Sequence, residues 1–113
     1  MVKTAVVILN WNGIGFLKMF ISNVISKSVD AATEVYVADN GSNDGSAEWL
    51  AENHKEVRLI RFEKNNGFAG GYNLALEQIN AEYYVLLNSD IEVTDGWLQP
   101  MISYLDNNPD VAS

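Results

Sequence analysis

TAVVIL, at residues 4–9, is an uncharged run of six residues in which four are β-branched and no polar alternation appears. A strand with that pattern is covered on both faces, as parallel strands are. Residues 10–15 break the run with Asn and Gly. Phe16, Leu17, Phe20, Ile21, Val24 and Ile25 then recur at helical spacing and predict a first helix to about Ser26.

The alternation continues along the chain. EVYVA, at residues 34–38, reads as a second strand that runs into Asp39 and a cluster of Asn, Gly, Ser and Asp. A second helix follows, with Ala47, Leu50 and Ala51 facing inward and Asp44 or Ser46 capping its first N–H groups. Residues 57–62 form a third strand, and after the loop at 63–68 a third helix spans roughly residues 70–79. YYVLL, at residues 83–87, is a fourth strand stopped by Asn88, Ser89 and Asp90, and residues 91–93 read as a short extra strand. Thr94 or Asp95 is expected to cap a last helix. Its Pro100 belongs near the first turns, because deeper in it would remove a backbone bond. Asn107, Asn108 and Pro109 end that helix, and residues 111–113 read as the opening of another strand.

Strands alternating with helices at this interval predict an α/β fold: a Rossmann-like three-layer sandwich with a mainly parallel sheet and right-handed crossovers. In such sheets ligands bind beyond the carboxyl ends of the strands. The polar clusters at Asn10, Asp39, Asn65 and Asn88 all lie at or after strand ends, so four loops are expected to converge on one edge.

Composition narrows the function. The 113 residues, 48% hydrophobic and 19% charged, suffice for one packed core and fall short of two full domains. Seven basic against 15 acidic residues give a net charge of −8, which argues against nucleic acid as a partner. A nucleotide diphosphate fits only if backbone N–H groups or a divalent cation offset the repulsion, since two like charges 4 Å apart near a protein surface cost about 4 kcal/mol. The absence of Cys removes disulfides, thiolate nucleophiles and the usual sulfur ligands of zinc. His54, the single imidazole, sits among Asn53, Lys55 and Glu56 and reads as a solvated surface residue. The apolar start is shorter than the roughly 7–15 residues of a signal-peptide core and far below the ~20 needed to cross a bilayer, which predicts a cytoplasmic location.

Asp90 follows a fully apolar strand, so its carboxylate is placed to hold Mg2+ or Mn2+ against a diphosphate. Both ions prefer oxygen ligands and keep several waters, so one carboxylate plus phosphate oxygens suffices. Glu92 is a candidate second donor, while turn chemistry alone would make Asp90 a simple turn cap. Asp39 is placed to accept hydrogen bonds from a nucleobase or ribose, with Gly41 and Gly45 admitting close backbone approach; an Asx-turn is the alternative. NGS at residues 40–42 also fits the N-glycosylation pattern, which carries no weight without a secretory signal. NNGFAGG, at residues 65–71, offers backbone donors and a positive helix end to an anion, although glycines there equally serve a turn. Trp49 and Trp97 fit helix faces, whereas Trp11 stands in a polar loop and is a candidate wall of a base pocket.

Taken together these segments resemble the amino-terminal part of glycosyltransferase family 2, with the GT-A fold, and especially its bacterial rhamnosyltransferase-like members. VVILNWNG at 6–13 is similar to that family's first strand and polar exit. VADNGSNDGS at 37–46 matches its Asp-rich signature, NNGFAGGYN at 65–73 its third loop, and LLNSD at 86–90 fills the place of its metal-binding DxD motif. The resemblance implies inverting, metal-assisted transfer of a sugar from a UDP- or dTDP-sugar to a glycan or lipid-linked acceptor. It implies nucleotide contacts from Asn10, Trp11, Asn12, Asp39, Asn40, Gly41, Ser42, Asn66, Gly67, Gly70, Gly71, Asn73, Asn88 and Ser89, and a metal ligand in Asp90. Asn88 stands where many members have the first Asp of DxD, and Tyr72 where many have Arg. The family's catalytic base lies well after DxD, so it is expected beyond Ser113, in a protein whose carboxyl-terminal part is missing. The fragment alone is then inactive, and the full-length protein can sit peripherally on the inner face of the membrane.

Two rivals remain. A dinucleotide-binding oxidoreductase domain shares the alternation, but Lys18 stands where the third glycine of its fingerprint belongs. A non-catalytic interaction domain stays open, since truncation would expose apolar sheet surface and favour a homodimer. A calcium-binding loop at Asp39 fails because Asp44 takes the place of its required glycine.

Overall fold

A computed structural model of the protein describes residues 2–28, 30 and 32–108. Four strands, β1 (Val2–Asn10), β2 (Thr33–Asn40), β3 (Arg58–Phe62) and β4 (Ala81–Asn88), alternate with four helices, α1 (Ile14–Ser28), α2 (Ser46–Asn53), α3 (Phe68–Glu77) and α4 (Gln99–Asn107). The strands form one sheet in the order β3-β2-β1-β4, and every pairing is parallel. All four carboxyl ends therefore lie on the same rim.

The reading of residues 4–9 holds in detail. Val6 and Ile8 point into a cluster with Leu17, Ile21, Val24 and Leu50 of α1 and α2, whereas Ala5 and Val7 point the opposite way, towards Tyr72, Ala75 and Ile79. Burying a Val or Ile side chain contributes about 1.5–3 kcal/mol, so β1, apolar on both faces, acts as the hub of three layers.

Several boundaries move. Backbone pairing carries β1 and β2 on to Asn10 and Asn40, because Asn10 and Asp39 are themselves a ladder pair. α3 starts at Phe68, two residues earlier than read, and Ala51 is exposed rather than inward-facing. Residues 91–93 form no strand: the side-chain amide of Asn23 takes both backbone groups of Val93, accepting its N–H at 2.7 Å and donating to its carbonyl at 3.0 Å. Neither Thr94 nor Asp95 caps α4, which begins at Gln99 with Pro100 in its first turn. Asn108 ends that helix as expected. Pro109 and the strand read at 111–113 lie outside the described residues.

Candidate functional site

The rim is built from side chains that join strand exits distant in sequence. Asn10, fully buried, donates from Nδ2 to Asp39 Oδ1 at 3.0 Å and to Ser42 Oγ at 3.3 Å. The other oxygen of Asp39 accepts the N–H of Ser42 at 3.2 Å. Ser42 Oγ also accepts the N–H of Asn12 at 2.9 Å, and Asn12 Oδ1 accepts the N–H of Asn43 at 2.9 Å. Asn12 adopts a left-handed backbone (φ 50), which Asn tolerates better than most residues. The β1 and β2 exits are thus stitched together, and Trp11 is left 56% exposed at the mouth.

Asp44 joins the same two exits from below. Its carboxylate accepts the first N–H of α1, from Ile14 at 3.1 Å, and the first N–H of α2, from Ser46 at 3.0 Å, with the Ser46 hydroxyl donating as well. Burial pushes this carboxyl up, but those hydrogen bonds outweigh it and hold it below the ordinary carboxylate value. Asp44 was read as a local cap for α2; its service to α1 had no signal in the sequence.

Asn40 makes the next junction. Its amide donates to Asn65 Oδ1 and to the Gly67 carbonyl, and its oxygen accepts the N–H of Asn66 at 2.9 Å. This holds the loop before α3 against β2. Gly41 and Gly71 are the residues that permit it. A methyl on Gly41 (φ 79) would stand 2.5 Å from the Lys64 carbonyl carbon, and one on Gly71 would stand 2.8 Å from Leu9 Cδ1 and 2.9 Å from Asn40 Nδ2.

β4 completes the rim. Leu9 pairs with Asn88, while Asn10 pairs with Asp39. Asp39 and Asn88 therefore flank the end of β1 from either side, two strand spacings or about 10 Å apart. Asp90 lies two residues further on, exposed, and no side-chain hydrogen bond engages Asn88, Ser89 or Asp90 among the described residues. Tyr72, buried beneath, donates from its hydroxyl to the Leu87 carbonyl at 3.2 Å. Burial raises its pKa, so it stays neutral.

The residues singled out from sequence thus separate by depth. Trp11, Asn12, Asn88 and Asp90 are exposed on the rim, with Ser42, Ser89, Asn66, Gly41 and Gly70 half-buried and Gly67 exposed at the start of α3. Asn10, Asp39, Asn40 and Gly71 are buried under it; Asp39 and Asn40, and the Nδ2 of Asn10, bond to one another and to neighbouring loops. Asn73 is not brought into the cluster: it is exposed, and at 100° per residue it falls on the side of α3 opposite the buried Gly71 and Ala75. His54 is less solvated than its neighbours suggested, lying 5.1 Å from the Trp49 ring and bonded to Glu56. No group of three or more His, Asp or Glu side chains gathers among the described residues. Nor is any described helix long and apolar enough to cross a membrane.

A parallel α/β sandwich with polar strand exits gathered on one rim defines a class of ligand-binding sheet proteins. The chain matches Glycosyl transferase family 2 over residues 5–113 and belongs to that family. It is 32% identical over 91 residues to the uncharacterized glycosyltransferase YfnE of Bacillus subtilis, covering 79% of this chain and 23% of that protein. The fold is shared with S. aureus TarS 1-349 in complex with UDP-GlcNAc (TM-score 0.82, 19% identity, 95% of this chain and 32% of that one). It is also shared with the mannosyltransferase PcManGT from Pyrobaculum calidifontis in complex with GDP-Man and Mn2+ (TM-score 0.68, 23% identity, 78% and 27%). The chain spans 13% and 23% of the length of the curated relatives it matches.

Proposed function

We propose that this chain is the donor-binding part of an inverting glycosyltransferase that uses a UDP- or dTDP-sugar and a divalent cation, and transfers the sugar to a glycan or lipid-linked acceptor. The observation that carries the reading is the shared rim: the Asn10–Asp39 pair, the Asn12–Ser42 stitch and the β4 exit with Asp90 stand side by side. UDP-GlcNAc in TarS and Mn2+ with GDP-Man in PcManGT are bound by proteins of the same fold, which supports it.

In this reading Trp11 offers its exposed ring to the base, and Asn12 and Ser42 shape the ribose side. The Asp39 carboxylate, 2% exposed, orients that loop from beneath. Asp90, exposed, without a side-chain hydrogen bond among the described residues and followed by the exposed Glu92, suits a hard cation that takes its remaining ligands from phosphate and water. Bound there, Mg2+ or Mn2+ would supply Lewis-acid stabilisation of the leaving diphosphate. Asn88, at the end of β4, contributes a neutral amide. Acceptor choice and the base that deprotonates the acceptor hydroxyl belong to segments outside these 113 residues, so the chain alone binds donor without turning over.

Calorimetric titration with UDP, dTDP, GDP and NAD, each with and without Mn2+, tests the reading. Binding of UDP or dTDP that tightens with Mn2+ is the expected result. Preference for NAD, or no nucleotide binding at all, would contradict it.

A further inference from the structure

Asn10 carries an imbalance that the donor site does not explain. The residue is fully buried, its Nδ2 gives two hydrogen bonds, and its Oδ1 receives none among the described residues. A buried acceptor without a donor is unfavourable and points to a partner that arrives in another state. The β1–β4 register identifies the neighbour: Leu9 pairs with Asn88, so Ser89 is the residue that comes level with Asn10 as the two strands end. Gly13 locates the gap between them, since a methyl added there would stand 2.5 Å from Asn10 Oδ1 and 3.6 Å from Ser89 Oγ. Both oxygens border one small space that is open because Gly13 has no side chain. The chemistry is complementary, for a serine hydroxyl can donate whereas the amide oxygen only accepts.

We propose that Ser89 is a positioning residue: when the metal–nucleotide complex seats, its hydroxyl donates to Asn10 Oδ1. That bond locks the β4 exit turn onto the Asn10–Asp39 pair and couples the base end of the donor to its metal end. The proposal rests on reading Asp90 as the metal carboxylate. It adds a chain Asp39–Asn10–Ser89 across the ends of three strands, and it makes Gly13 the residue that keeps the path clear.

The test follows the Asn10 side-chain amide by NMR with UDP and diamagnetic Mg2+, and UDP affinity by calorimetry with and without Mn2+, in wild type, Ser89→Ala, Ser89→Thr and Asp90→Ala. UDP with Mg2+ should shift the Asn10 amide signal in wild type and in Ser89→Thr, which keeps the hydroxyl, and leave it in place in Ser89→Ala. The tightening of UDP by Mn2+ should shrink about tenfold in Ser89→Ala, equivalent to ~1.4 kcal/mol, and survive in Ser89→Thr. An Asn10 signal that moves in Ser89→Ala as it does in wild type would overturn the proposal, whatever the affinities. Mn2+ tightening that persists in Asp90→Ala would instead sink the metal assignment, and the Asn10 signal would still decide the role of Ser89.

Discussion

The side-chain amide of Asn10 lies 3.0 Å from the Asp39 carboxylate, and both residues are at most 2% exposed. Twenty-nine positions separate them in sequence, yet they are a ladder pair, so the bond closes the gap between two parallel strands where their backbone bonding ends. A buried carboxylate needs such donors. Without them its desolvation is uncompensated.

Asn10→Ala should therefore destabilise the fold by about 2–3 kcal/mol, combining a lost bond to a charged acceptor with a small cavity. Urea unfolding followed by tryptophan fluorescence measures this as a lower midpoint at unchanged slope. A loss within ~0.5 kcal/mol would mean that Asp39 finds another donor.

Gly41 and Gly45 separate backbone strain from steric contact. Both have positive φ, 79 and 86, but a methyl at Gly45 meets nothing nearer than 4.0 Å, whereas one at Gly41 meets the Lys64 backbone at 2.5 Å. Gly45→Ala should cost about 1–2 kcal/mol for left-handed backbone alone, and Gly41→Ala clearly more. Equal losses in parallel melts would show that the β3–α3 loop yields without cost.

The Asp44 carboxyl is held below its ordinary value, and this fixes a sign. A depressed folded pKa contributes stability above the unfolded value, near 4, that is lost as pH falls through the folded value. Wild type should weaken progressively below about pH 4, and Asp44→Asn should show a shallower acid slope. The same substitution at pH 7 should lower stability by about 1–2 kcal/mol, because two helices lose the charged acceptor of their first N–H. Unfolding midpoints at pH 7 and pH 3 check both statements.

Much of this architecture was legible in the sequence. The uncharged run at residues 4–9 announced a strand covered on both faces, and polar clusters after each strand announced the rim, because parallel pairing sends every carboxyl end the same way. What escaped were relations between residues 25 to 70 positions apart. Asn23, polar in an apolar helix, gave no sign that its amide would occupy both backbone groups of Val93 and so turn a read strand into a loop. Asp39 and Asn40 looked like ligand contacts because turn-forming polar residues are the same types that bind ligands. Packing shows that their polar atoms also bind the neighbouring loops. Asn73 was grouped with its loop by sequence adjacency, while helical rotation carries it to the solvent side.

On the proposed reading, Asp90 holds a divalent ion against a nucleotide diphosphate on the rim shared with Asp39. UDP titrated calorimetrically into wild type and Asp90→Ala, with and without Mn2+, tests it most directly. Mn2+ is expected to tighten UDP about tenfold or more in wild type, equivalent to at least ~1.4 kcal/mol, and not at all in Asp90→Ala. The same tightening in both proteins would contradict it.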